Sequence, residues 1–221
     1  MAVITISRQY GSEGDEIAAR VCEQLGYAAF DKRLMTQVAT EVGLTDSETV
    51  DFSEDVHRVR GFVDRLLRGR TVVGEARVWK EKPGGVRVQN VVGLDETASI
   101  TLIQAVVKAA YHRGNVVIVG RGGQAILRDE LDVLHVRIEA PPDLRARRIE
   151  LQEGLSYDLA REVVARRDAA AADYVKRFFG ADWSDPLLYH LVINTGRWNI
   201  ESAAQLIVAS VNCLTPMAAP A

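Results

Sequence analysis

The chain alternates short apolar runs with longer stretches in which apolar residues recur at helical spacing. Residues 2–6 read as a short buried strand. Ile17, Ala18, Val21, Cys22 and Leu25 then recur as one face of a helix over about 13–25. Gly26 opens a short strand over 27–30. Helices are predicted over 32–43 and from 45 to about 67, the second with an apolar stripe of Val56, Val59, Phe62, Val63, Leu66 and Leu67. Over 70–94 the pattern changes. Val72-Val73, Arg77-Val78-Trp79-Lys80 and Val86-Arg87-Val88 surround Pro83-Gly84-Gly85, which predicts a hairpin or an irregular β lobe. A helix from 95 to about 112 leads to a Val/Ile run over 115–119, the pattern of a strand covered on both faces. Next come Gly120-Arg121-Gly122-Gly123 with a short helix after it, and a strand over 133–138. Helices to about 153 and from 156 to about 179, a strand over 190–194 and a helix from Asn199 to about 211 complete the series. Strands alternating with helices imply an α/β fold with a parallel sheet and helices on both faces, residues 2–6 forming its central strand.

The 221 residues, 48% of them hydrophobic, suit one domain over 1–214 with a flexible tail over 215–221. A net charge of −3 gives no nucleic-acid footprint. No apolar run reaches the ~18 residues of a membrane span, and the N-terminus enters a strand at once, so the expected setting is cytoplasmic. Cys22 and Cys213 lie on separate helices without metal spacing, which predicts a buried thiol at Cys22 rather than a disulfide. The four histidines also lack metal-ligand spacing, and Trp79, Trp183 and Trp198 read as packing residues. The cations are lopsided, 22 arginines against five lysines. Coding bias could produce the surplus but does not explain its clustering: Arg137, Arg145, Arg147, Arg148, Arg161, Arg166, Arg167 and Arg177 fall in one stretch. Arginine binds phosphate bidentately and stays charged.

In open parallel sheets, ligands bind beyond the carboxyl ends of the strands. Three such ends carry candidate chemistry. After the first strand, Ser7 to Glu16 places Gly11, Ser12 and Gly14 in a turn that runs into a helix, where backbone N–H groups cradle phosphate. The usual Gly-Lys-Ser/Thr is absent: Gly14-Asp15-Glu16 stands in its place, and the first lysine is Lys32. Glu13, Asp15 and Glu16 put three carboxylates at the helix start. They complement the helix dipole and cap the helix, or Asp15 holds a divalent ion against phosphate. The compensating cation is then Arg8, Lys32 or a distant arginine, with Arg8 expected nearest. After the second strand comes Asp31-Lys32-Arg33, and after the third the Gly-Arg turn. Together they suit phosphoryl transfer, which depends on positioning and charge neutralisation.

Four segments carry a family resemblance: ISRQYGSEGDEIAARVCEQLGYAAFDKRLM, VIVGRGGQAILRD, VLHVRIEAPPDLRARRI and YHLVINTGRWNIESAA. They resemble the cytidylate kinase-like family, a branch of the nucleoside monophosphate kinases within the P-loop kinases. The resemblance implies a three-layer P-loop kinase with a five-stranded parallel core. It also implies a monophosphate-binding lobe inserted over 45–110 and an arginine-bearing lid over about 145–185. The implied reaction is magnesium- and ATP-dependent phosphorylation of a nucleoside monophosphate, CMP or dCMP. Gly11, Ser12 and Gly14 fall in the phosphate loop, Asp31 near the monophosphate, and Arg121 facing substrate phosphate. Arg166, Arg167 and Asp168 resemble the lid's Arg-Asp element. Departures are plain: Glu13 replaces a glycine, Gly14 the lysine, Asp15 the magnesium-binding hydroxyl, and Gln37 an arginine that grips the monophosphate. Two other readings stay open, a nucleotide-binding or regulatory protein that kept the fold without catalysis, and a kinase of another small metabolite. The oligomeric state is left open.

Overall fold

The computed structural model describes residues 2–30, 74–82, 86–94 and 96–214. Asp31, Lys32, Gln37, the helices expected over 32–43 and 45–67, and the tail lie outside them. The described chain runs β1 (Val3–Arg8), α1 (Gly14–Leu25), β2 (Ala28–Ala29), β3 (Gly74–Lys82), β4 (Val86–Leu94), α2 (Glu96–Arg113), β5 (Val116–Val119), α3 (Gly123–Ile126), β6 (Val133–Glu139), α4 (Pro142–Glu153), α5 (Tyr157–Phe179), β7 (Leu191–Asn194) and α6 (Ile200–Cys213).

Five strands form one sheet in the order β2-β5-β1-β6-β7, every pairing parallel, with β1 in the centre. This is the parallel α/β sheet expected from the strand pattern, with the five strands that the family resemblance implies for a P-loop kinase. β1 is buried on both sides because helices cover both. Ile4 and Ile6 face α1 and α6, where Ile17, Val21, Ala203 and Ile207 complete a sealed cluster. Val3 faces the other layer, with Ile103, Val106 and Val107 of α2. Burying one such aliphatic side chain contributes about 1.5–3 kcal/mol. β3 and β4 pair antiparallel as a separate two-stranded ribbon, so the hairpin expected within 70–94 is present.

Helix ends follow local rules. Asn199 caps α6 by accepting from Ser202 N at 2.8 Å. Ser156 caps α5, and Gly180 closes it in a left-handed conformation. One polar feature lies inside the sheet. The Thr5 hydroxyl donates to His135 Nδ1 (2.7 Å), and His135 Nε2 donates to the Leu127 carbonyl (3.2 Å). The backbone N–H of His135 donates to His190 Nδ1 at 3.0 Å. Burial, with the neighbouring His190 second, pushes His135 down to about 4. Both cysteines are free thiols, Cys22 half-buried and Cys213 exposed. Among the described residues no helix is long and apolar enough to cross a membrane.

Candidate functional site

The loop between β1 and α1 is tied to β6 by one backbone bond and closed on itself by another. Gln9 N donates to the Ile138 carbonyl (3.0 Å), and Ser12 N donates to the Gln9 carbonyl (3.2 Å). Glu13 precedes the helix in the left-handed region, with φ 63°, a conformation costing a non-glycine residue about 1–2 kcal/mol. Gly14 must be glycine: a Cβ there would lie 2.5 Å from the Cβ of Arg8, whose stem crosses over the helix start. No side chain caps α1. The acids expected to cap it turn elsewhere, Asp15 to Arg8 Nε (3.1 Å) and Glu13 to Arg148 Nη2 (2.7 Å). The first N–H groups of α1 are therefore left for an anion. Ser12 Oγ, fully buried in this loop, has no hydrogen-bond partner among the described residues.

Beside the loop lies a cavity of about 360 Å³, lined by the loop from Arg8 to Glu16 and by Arg148, Leu151, Gln152 and Ile200. Arg148, on α4, donates to the Gly11 carbonyl (3.3 Å), to Thr195 Oγ1 (3.0 Å) and to the Thr195 carbonyl (3.1 Å). The Thr195 hydroxyl donates in turn to the Ser12 carbonyl at 2.9 Å. A second arginine from α4 holds the loop from beneath. Buried Arg145 donates to the carbonyls of Ala140 (2.9 Å) and Tyr10 (3.1 Å) and pairs with Asp168 Oδ2 at 2.6 Å. Asp168 Oδ1 accepts from Tyr10 N at 3.0 Å, so one carboxylate ties α5 to the loop backbone. Tyr10 also donates its hydroxyl to Glu153 and lies under the guanidinium of Arg167, 5.1 Å away.

The segment between α5 and β7 folds back over the carboxyl ends of β1 and β6. Trp183 Nε1 donates to Ser7 Oγ (2.8 Å), and Arg137 stacks on the Trp183 ring at 4.3 Å while donating to its carbonyl (2.7 Å). After β5, Gly120, Arg121 and Gly122 all have positive φ (68°, 59° and 69°). Gly122 is held there by contact, since a Cβ would meet Phe179 at 2.3 Å. Arg121 keeps a side chain where the backbone favours glycine, and such strain concentrates at functional sites.

Residues 3–197 match the cytidylate kinase-like family. The chain belongs to that family. Similar proteins include the cytidylate kinases of Methanopyrus kandleri (28% identical over 115 residues) and Pyrococcus horikoshii (31% over 109). The matched regions are 48% and 49% of this chain, and the chain spans 60% and 55% of those relatives' length. An uncharacterised protein from Eubacterium ventriosum shares the fold, with a TM-score of 0.62 at 18% identity, over 96% of this chain and 99% of that one.

In this family member the candidate residues separate into groups. Arg8, Gly11, Ser12, Glu13, Gly14, Asp15 and Glu16 line the cavity together. Asp168 is joined to them through Tyr10 N, and Arg167 through the Tyr10 ring. Arg166 is exposed on α5, and Arg121 stands at the separate turn after β5. Arg8, expected as the nearest cation, lines the cavity and pairs with Asp15; Arg148 lines it as well and pairs with Glu13. Arg145, Arg148 and Thr195 were not singled out by sequence reasoning. The arginine cluster signalled the first two without saying which of its members reach the loop. Thr195 carried no signal, because its role depends on β7 ending beside Ser12. Among the described residues no three His, Cys, Asp or Glu side chains group to hold a metal. Magnesium in kinase sites takes one or two carboxylates with phosphate oxygens; Asp15, exposed at the helix start and paired here with Arg8, is a carboxylate of that kind.

Proposed function

We propose that this protein is a nucleoside monophosphate kinase, transferring the terminal phosphoryl group of ATP to a monophosphate, with CMP or dCMP as first candidates. The observation that carries the reading is the uncapped start of α1, opening on a cavity walled by Arg148. Free N–H groups at a helix start bind phosphate without a lysine. The cavity would take the donor nucleotide, its phosphates on the loop from Gly11 to Glu16 and its base against Leu151, Gln152 and Ile200. Magnesium, when bound, would neutralise charge on the phosphates, and Asp15, leaving Arg8, would be the carboxylate that holds it. Arg148 supplies the cation that the missing lysine would have supplied. Arg121, with Asp31, Lys32 and Gln37, would hold the acceptor. Arg166 and Arg167 would act from the lid on the transferring group. Asp168 positions that lid through Arg145 and Tyr10 rather than touching substrate. The cytidylate kinase relatives support the substrate class.

The lysine-free loop favours a second reading, a nucleotide-binding protein without catalysis. Turnover of magnesium-ATP by the purified chain across a panel of nucleoside monophosphates separates the two. CMP- or dCMP-dependent ADP release supports the kinase. ATP binding without turnover of any acceptor supports the second reading, and transfer to a different acceptor changes the substrate.

A further inference from the structure

Glu13 is out of place in three respects. Its backbone is left-handed, with φ 63°, where glycine fits without strain. Its side chain does not cap the helix it precedes. Its carboxylate instead lies 2.7 Å from Arg148 Nη2, inside the wall of the cavity beside the loop. Arg148 is already held by the Thr195 hydroxyl, the Thr195 carbonyl and the Gly11 carbonyl. Those contacts keep its guanidinium at the loop whether or not Glu13 is present. All three are dipoles, so Glu13 is the charged partner of Arg148.

We infer that Glu13 is an internal competitor for the anion site and sets its specificity: it weakens the binding of single phosphates relative to polyphosphate esters. The inference rests on the loop being the phosphate site proposed above. An intramolecular carboxylate acts at a high effective concentration, in the millimolar range or above for tethered groups. A lone phosphate or sulfate, meeting the α1 N–H groups and Arg148, must displace it and gains few further contacts. A nucleoside triphosphate with magnesium brings several oxygens, its own neutralising ion and a base for the Leu151 side of the cavity. It can displace Glu13 and still bind. Asp15 and Glu16 remain exposed at the helix start and add to the bias against uncompensated anions. The departure of this loop from a glycine at position 13 thus becomes a selectivity device.

The test uses the full chain, Glu13→Gln and Glu13→Gly, titrated calorimetrically with inorganic phosphate, sodium sulfate and magnesium-ATP. Glu13→Gln keeps size and backbone strain while removing the charge; Glu13→Gly also relieves the strain. Neither removes a buried core group, and thermal melts confirm folding. The expected result is a gain of about tenfold or more in phosphate and sulfate affinity in both variants, the usual scale for losing a charge-assisted competitor. The gain for magnesium-ATP should be several-fold smaller, narrowing the selectivity of the wild-type chain. Unchanged phosphate and sulfate affinity in both variants overturns the inference, as does an equal gain for all three ligands. Turnover plays no part in the readout. A chain without kinase activity whose phosphate affinity rises in Glu13→Gln refutes the kinase reading alone. An active kinase whose Glu13 variants bind phosphate as the wild type does refutes this inference alone.

Discussion

Strand β1 serves two regions built on opposite principles. From Val3 to Ile6 it is sealed between helices, and apolar burial holds it. From Ser7 onward the end of the strand and the loop after it are held by charge and hydrogen bonds, with partners far along the sequence: Trp183 for Ser7, Asp168 for Tyr10 and Thr195 for Ser12. The first region tolerates similar side chains, because apolar burial is non-directional. The second depends on particular donors at particular distances. Substitutions in the sheet should therefore lower stability, and substitutions around the loop should lower binding.

Arg145 is where that division should fail most visibly. It belongs to the loop network but is buried like a core residue. Arg145→Ala leaves the carboxylate of Asp168, 18% exposed, without its ion pair. The expected loss of stability is about 3–5 kcal/mol, measured by urea unfolding. A loss below 1 kcal/mol would place Arg145 with the purely functional arginines.

His135 breaks the division from the other side, as a titratable group inside the sheet. Its folded value, about 4, lies below the ordinary value of 6.5, because burial disfavours the imidazolium. The neutral form is favoured by folding. The stability contribution is complete above about pH 6.5 and is lost as pH falls towards 4. The loss should be on the order of 3 kcal/mol. Urea midpoints of the wild type and His135→Gln across this window check it, since the variant should lack that component of the slope. Parallel pH profiles would reject the assignment.

Arg148→Gln should follow the division. Its guanidinium is partly exposed at the cavity wall, so melting temperature should change little. Magnesium-ATP affinity should fall by about 1.5–3 kcal/mol, read by calorimetry. The same experiment on Arg8→Ala should show the smaller loss, because in the proposed site it is Arg148, released from Glu13, that meets the phosphates, while Arg8 stays with Asp15. The reverse order would return the role of compensating cation to Arg8.

Arg121→Gly should have the smallest effect on folding and sharpens the comparison most. Glycine suits the left-handed backbone there, so stability should shift by less than about 1 kcal/mol. Affinity for a nucleoside monophosphate should nevertheless fall about tenfold. A large drop in melting temperature with unchanged affinity would make Arg121 structural.

Much of this architecture was legible from local pattern. The apolar runs marked the sheet strands to within two residues, and the central place expected for β1 is the one observed. The loop after β1 was legible because a glycine turn between a strand and an amphipathic helix is itself local. Which arginines mattered was not. Eight lie between 137 and 177, and periodicity alone treats those along a helix alike. Only packing of α4 beneath the loop turns Arg145 and Arg148 inward, with Arg147 exposed between them. Asp168 was legible only as part of a resemblance to a lid's Arg-Asp element; its partners, Tyr10 N and Arg145, appear only in the fold. The three acids at the helix start read as caps, yet two of them turned to arginines. The sequence by itself determined which segments are buried and in what order they alternate, because burial and backbone preference act over a few residues. Only the tertiary structure decided which charge meets which, because hydrogen bonds and ion pairs are directional and short. The network that shapes the loop joins groups more than 130 residues apart.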